Sequence, residues 1–240
     1  VKAPQRTLTD TGYGTFKTDQ SARTAMVYVG ANDGFLHAFE ATSGRESWAY
    51  MPAAVLKHPD FYKLADTTYS HRYFVDGSIS VEDIKVGTTW KTILVGGLGG
   101  GGNTYFALDV TDPASPKVLW EYSPSTNGYA FANPIITKVG GAWSVVVATG
   151  YDNGASAQLV VLNAYTGEQV YAVTAGAIDS GLAKLNNWVD SPMTDNSTTY
   201  VYGGDLNGDL WKFTLGASSG AVRKMAELRS SSNRADPVTT

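Results

Sequence analysis

Asp205, Asn207 and Asp209 stand at alternate positions around Gly208 in the stretch YVYGGDLNGDLWKF. Oxygen-bearing side chains at that spacing are the material of a calcium loop, in which six to eight oxygens surround a hard cation. The helix–loop–helix form of that loop places its glycine sixth and a bidentate glutamate twelfth. Here the glycine is fourth in the run and no such glutamate arrives. Asn207-Gly208 also supplies the positive φ that a tight hairpin turn demands. The residue types therefore favour a turn between two strands over a cation site.

Other groups with chemical potential are weaker still. Residues 97–102, GLGGGG, fit the spacing GxGxxG and follow a good strand. That motif binds a pyrophosphate only where a helix opens behind it, and NTYFALDV behind it reads as another strand. No Lys-Ser/Thr pair follows the glycines either, so a phosphate-binding P-loop is excluded, and the run reads as a mobile glycine turn. His37, His58 and His71 are scattered, without metal-ligand spacing. No serine sits in a GxSxG elbow and no paired carboxylates stand in a recognisable hydrolase context, so no catalytic or cofactor-binding residue is assigned. Trp48 and Trp120 could serve as stacking platforms, yet both fall at the same point of a repeated pattern, which favours a packing role.

The elements that must carry these residues are short strands. The chain has 240 residues, enough for one large domain that would bury roughly 70–75% of its unfolded surface. With 26 glycines, 14 tyrosines and 6 tryptophans, its composition suits aromatic strands joined by turns. A net charge of −4 and the lack of any Lys/Arg cluster argue against a nucleic-acid partner. No apolar run approaches the roughly 20 residues of a membrane span. Cysteine is absent, which removes disulfides and thiolate chemistry. The chain opens on Val1 with no signal-peptide pattern, so it is expected to be a mature or excised piece with any export signal upstream.

Internal repetition is plain. MVYVGANDGFLHAF (26–39) aligns without gaps to YVYGGDLNGDLWKF (200–213), matching Val27 with Val201, Tyr28 with Tyr202, Gly30 with Gly204, Gly34 with Gly208, Leu36 with Leu210 and Phe39 with Phe213. Each copy reads as a β-hairpin. His37 takes the place of Trp211, which argues for packing. Weaker copies, YFALDVTDPASPKVLWEY (105–122) and LVVLNAYTGEQVYAV (159–173), resemble LHAFEATSGRESWAY (36–50). Taking Phe39, Leu108, Leu162 and Phe213 as equivalent gives spacings of 69, 54 and 51 residues, suitable for four-stranded blades with insertions. Residues 73–86, 90–97, 134–139 and 143–150 read as further strands. Only 53–65, interrupted by Pro59, has a helical look. The tail 216–240 offers one strand, Val222 to Leu228, read as a tail or the start of a further blade. The fold class is thus all-β, a β-propeller of roughly four blades, marked near 26–50, 90–122, 143–173 and 200–215.

The segments YVGANDGFLHAFEATSGRESWAY, RYFVDGSISVEDI, LVGGLGGGGNTYFALDVTDPASPKVLWEY and YVYGGDLNGDLWKF closely resemble the C-terminal domain of the PilC/PilY family of type IV pilus biogenesis factors and tip-associated adhesins. The likeness runs from about Thr24 to Leu215. It implies a modified propeller of about seven blades, of which this chain would be the first part. It also implies export to the surface of a Gram-negative bacterium, minor pilins and the pilus tip as partners, a host-cell or surface receptor as a further partner, and support of pilus extension and twitching motility. Many members carry a calcium loop, DxDxDGxxD, just before the strand that corresponds to YVYGGDLNGDLWKF. The matching positions here are residues 191–199, SPMTDNSTT. Only Asp195 keeps a ligand position, Ser191, Met193 and Thr199 do not, and a one-residue slip would recruit only Asp190. No metal or cofactor is therefore expected, calcium included.

Two other functions compete with the adhesin. Quinoprotein dehydrogenase propellers share the pattern AxxxTGxxxW, close to residues 41–48, but need calcium ligands that this chain does not offer. A periplasmic propeller scaffold for outer-membrane assembly would share the blades but not the GANDGFLHAF and GGDLNGDLWKF pair.

Overall fold

The computed structural model describes residues 1–125, 128–151, 154–231 and 235–238. Its strands form four antiparallel sheets that follow one another in sequence. The first holds β1 (Met26–Gly30), β2 (Leu36–Glu40) and β3 (Glu46–Tyr50). The second holds β4 (Ile79–Val86), β5 (Thr89–Gly97), β6 (Tyr105–Asp109) and β7 (Lys117–Tyr122). The third comprises β8 (Ile135–Val139), β9 (Ala142–Ala148), β10 (Ser156–Asn163) and β11 (Gln169–Ile178). The fourth comprises β12 (Leu182–Trp188), β13 (Tyr200–Asp205), β14 (Asp209–Leu215) and β15 (Gly220–Glu227). These are the blades of a β-propeller, and we number them one to four.

The core lies between blades. Leu36 of blade one meets Leu94, Phe106 and Leu108 of blade two, with Trp48 and Tyr28 against the same cluster. Ile93, Val95 and Tyr105 of blade two meet Val145, Val147 and Val160 of blade three. Val146, Val161 and Val173 of blade three meet Leu182, Val201 and Phe213 of blade four. A middle blade is therefore apolar on both faces. Its strands read as unbroken runs such as SVVVA, where a sheet wet on one side would alternate.

The four marks Phe39, Leu108, Leu162 and Phe213 fall on β2, β6, β10 and β14, opposite Val27, Leu94, Val145 and Val201. The sequence-level equivalence is thus a structural one. Trp48 pairs with Ala38 and Trp120 with Ala107, each at a register shift. Tyr171 pairs with Val161 at the same kind of shift and completes the series. From these places each aromatic donates a hydrogen bond to the next blade: Trp48 Nε1 to Pro113 O at 2.8 Å, Trp120 Nε1 to Ala164 O at 3.1 Å, and Tyr171 Oη to Gly216 O at 2.8 Å.

Several expectations change in detail. Residues 73–78 join blades as a connector, and only Ile79–Val86 of the expected strand 73–86 is strand. Residues 222–228, read as a possible opening strand of another blade, overlap β15, which pairs with β14 and completes blade four. The helical region 53–65 divides at Pro59 into a helix, Ala53–Leu56, and a 3-10 helix, Phe61–Ala65. A further helix, α1 (Tyr13–Asp19), has no sequence signal. Its single face, Tyr13 and Phe16, docks on Trp90.

Candidate functional site

The DxNGD turn is filled from within. Asp205 Oδ1 accepts the backbone N–H groups of Asn207 and Asp209, both at 2.9 Å, and Oδ2 accepts Trp211 Nε1 at 2.9 Å. Gly208 takes φ 81°, as the turn requires. Asp209 is drawn to Lys224 at 2.7 Å, although its Oδ1 is buried without a partner. The two carboxylates thus serve a hairpin and an ion pair. Among the described residues no three His, Cys, Asp or Glu side chains gather to hold a metal.

In the first copy of the hairpin, His37 does more than pack. Its Nδ1 lies 2.7 Å from Glu46 Oε1 and its Nε2 3.0 Å from Asp33 Oδ2. These contacts, Glu46 foremost, raise its pKa above the usual imidazole value, with partial burial opposing them. Its ring also stacks on Phe39 at 6.0 Å.

The glycine run 97–102 is a crossing point of backbones, and the expectation of a mobile turn gives way to a packed one. Leu98, Gly99 and Gly101 are buried. A Cβ on Gly101 would lie 2.0 Å from Phe74 O, and Asp76 N–H donates to Leu98 O at 3.1 Å. The connector 73–77 runs directly against the glycines, which explains their number without any phosphate.

Residues 191–199, the loop between β12 and β13, are held by a protein cation. Lys138 Nζ, on β8, lies 2.6 Å from Asp195 Oδ1 and 3.1 Å from Asp10 Oδ2. Asp195 also accepts Ser197 Oγ at 2.8 Å, and Asp190 accepts Trp188 Nε1 at 2.7 Å. The Lys138 ammonium, together with Ser197, holds the Asp195 carboxyl below its ordinary pKa. The Lys138 backbone joins the loop as well, through Asn196 O and the Thr198 N–H, at 2.7 and 2.8 Å. A calcium ion asks for several carboxylates free to face it. Asp195 is committed to an ammonium and Asp190 to an indole, so the donor set does not fit that ion.

Asp10 belongs to a strap, residues 1–25, that runs along this end of the blades. Thr7 and Thr9 donate their backbone N–H groups to Met193 O and Thr194 O at 2.8 and 2.9 Å. Arg6 pairs with Glu82 and donates to Pro192 O at 2.6 Å. Burial pushes Glu82 up to about 7, with Arg6 opposing. Tyr13 Oη donates to the buried Asp83 at 2.8 Å, and Thr92 Oγ1 donates to the same carboxylate at 2.6 Å. Sequence reasoning missed Lys138, Asp10 and Glu82, because no local spacing links residues 128 positions apart.

A sequence profile of the PilY1 beta-propeller domain matches residues 4–233. The chain belongs to this PilY1 family. It is 40% identical over 216 residues to the type IV pilus biogenesis factor PilY1 of Pseudomonas aeruginosa PAO1, covering 85% of this chain and 18% of that protein. To a PilY1 homolog of Xylella fastidiosa Temecula1 it is 39% identical over 211 residues, covering 85% and 17%. The crystal structure of the P. aeruginosa PilY1 C-terminal domain superposes with a TM-score of 0.80 at 33% identity, over 95% of this chain and 50% of that one. The chain thus spans under a fifth of the length of these curated PilY1 relatives. Within the described residues, no helix is long and apolar enough to cross a membrane.

Proposed function

We propose that the chain is the propeller portion of a non-enzymatic type IV pilus biogenesis factor that also serves as a tip adhesin. In this reading its four blades are part of a ring of about seven. The protein acts at the surface of a Gram-negative bacterium, meets minor pilins at the pilus tip, supports extension and twitching, and attaches to a host-cell or surface receptor. The reading rests on identity near 40% to pilus biogenesis factors across 85% of the chain. A deletion strain tests it: surface pili should disappear under electron microscopy and the twitching zone should collapse, both restored by the full-length gene. Attachment measured in a background that cannot retract its pili separates adhesion from assembly. Normal piliation and attachment in the deletion strain would overturn the proposal.

The 191–199 loop, in the same reading, works without calcium, because Lys138 already supplies the positive charge between Asp10 and Asp195. Calorimetric titration of the full-length protein should show no micromolar calcium binding that depends on Asp195. Such binding, lost in Asp195→Asn, would refute calcium independence.

A further inference from the structure

Blades two and three each have four strands, and each opens on the same short hairpin. KVGTTW (85–90) turns from β4 to β5, and KVGGAW (138–143) turns from β8 to β9. The register agrees with the sequence. Lys85 stands opposite Trp90 and Lys138 opposite Trp143, so each copy sets a lysine and a tryptophan side by side on one face.

The two copies engage these side chains in complementary ways. In blade two the tryptophan is engaged: Trp90 Nε1 donates to Thr11 O at 3.1 Å. In blade three the lysine is engaged, by Asp10 and Asp195. Left over are Lys85 Nζ and Trp143 Nε1, neither of which has a hydrogen-bond or ion-pair partner among the described residues. The indole N–H groups of Trp48, Trp120, Trp188 and Trp211 all have acceptors, so Trp143 differs from the other five tryptophans. Its Nε1 is not a buried orphan and therefore reaches solvent.

Lys85 and Trp143 line one cleft of about 390 Å³ between the hairpin ends of the two blades. Trp90 meets Trp143 edge to face at 5.9 Å, which brings the face shared by Lys85 and Trp90 up to Trp143. A third wall is the turn between β10 and β11, where Tyr165 takes the place of Thr42 and Thr111 in the other copies. Asn163 Oδ1 accepts the N–H groups of Tyr165 and Thr166 at 2.9 and 3.0 Å, which fixes this turn and leaves Nδ2 to donate. Tyr165 Oη has no partner among the described residues either.

We propose that this cleft binds an acidic saccharide, a pyranose ring that carries a carboxylate. The sibling groups show what chemistry suits the unengaged ones: Trp90 takes a carbonyl oxygen, and Lys138 takes carboxylates. Trp143 Nε1, Tyr165 Oη and Asn163 Nδ2 are donors for hydroxyl and ring oxygens, and Lys85 is the charge-assisted donor for the carboxylate. Asp10, the acid on the lining, is already neutralised by Lys138, which leaves Lys85 as the cleft's uncompensated charge. Trp143 and Tyr165 are half-buried and present apolar ring area to the C–H face of a sugar. The volume falls in the range of small-ligand sites, about 300–1,000 Å³. Hairpin ends form the walls, not an open strand edge, so a compact ring is favoured over an extended peptide. A saccharide held here would be the receptor of the adhesin reading; that role rests on the reading, while the binding itself is a property of the cleft.

The test is a ligand-observed NMR titration of the full-length protein. Sialyllactose and trigalacturonate are the acidic probes, with lactose and triglutamate as controls. At least one acidic saccharide should bind, and lactose should bind about tenfold more weakly or less, the worth of one charge-assisted bond. Lys85→Gln should weaken the acidic probe about tenfold and Tyr165→Phe about threefold, both in proteins that melt as the parent does. Failure of both acidic saccharides to bind would overturn the proposal, as would equal binding of lactose or affinity that survives Lys85→Gln. Triglutamate that binds as tightly and is lost in Lys85→Gln would also overturn it, and would assign the cleft to an acidic peptide. The deletion strain tests adhesion separately, so absent binding with attachment intact overturns the cleft proposal alone.

Discussion

His37 and Trp211 occupy one position in two copies of a hairpin, and each aims a ring N–H at an acid of its own turn. Trp211 reaches Asp205, which two backbone N–H groups also fill, and its indole N–H is a donor that keeps its proton. His37 spans Asp33 and Glu46, so its bonds are strongest when both ring nitrogens are protonated. Its raised pKa fixes the sign of the effect. The stabilisation is complete below the unfolded value near 6.5 and is lost as pH rises through the higher folded value. A proton NMR titration should therefore place the His37 pKa above 6.5, and Glu46→Gln should bring it down, since Glu46 is the principal cause. A His37 titration at or below 6.5 would contradict the geometry. Sequence alone gave a packing role here, because an imidazole replacing an indole looks apolar until the acids around it are placed.

At the scale of elements, one device recurs at three points. Trp48, Trp120 and Tyr171 sit at the same register shift of β3, β7 and β11, and each bonds a carbonyl in the loop before the last strand of the next blade. The blades are thus joined by apolar packing plus one aimed donor per interface. Trp120→Phe keeps most of the ring and deletes the donor, leaving the Ala164 carbonyl without its partner. Such an orphaned group costs about 1–3 kcal/mol, which should appear as a lowered denaturant midpoint with little change in slope. Tyr171→Phe should behave alike at the next interface. The two losses should add within about 0.5 kcal/mol, because the sites share no partner. The equivalence of Trp48 and Trp120 was legible from the repeat, as were most strands, since residues buried between two blades must be apolar or β-branched. β12 was not legible: Leu182, Ala183 and Leu185 are buried, but Lys184, Asn186 and Trp188 are exposed, and the alternation is too brief to stand out. α1 was hidden for a different reason. A seven-residue helix with two threonines has little stability alone and forms because Tyr13 and Phe16 find Trp90.

Across the whole molecule, the strap 1–25 makes the blades dependent on one another at one end. It pairs with β1 through Val1, with β4 through Arg6 and Tyr13, with β8 through Asp10, and with the 191–199 loop through Thr7 and Thr9. Lys138 is where three of these parts meet, since its ammonium joins the strap to the loop from a strand of blade three. Partial burial opposes its charge, but the bonds to Asp195 and Asp10 prevail and raise its pKa, while the pKa of Asp195 is lowered. The clasp is accordingly complete between the ordinary carboxylate and amine ranges. It weakens as pH falls through the folded value of Asp195, or rises through that of Lys138. Lys138→Met keeps an unbranched side chain opposite Trp143 and removes the ammonium, which lies 5.8 Å from that ring, leaving Asp10 and Asp195 to repel each other across the gap. The Thr7 and Thr9 amides, far from Lys138 in sequence but bonded to the same loop, should then exchange about tenfold faster or more. Amides of β5 and β9, inside the blade cores, should not change. If Thr7 and Thr9 kept their protection while Lys138 was lost, strap and loop would be held by their backbone ladder alone, and the ammonium would contribute nothing to the clasp.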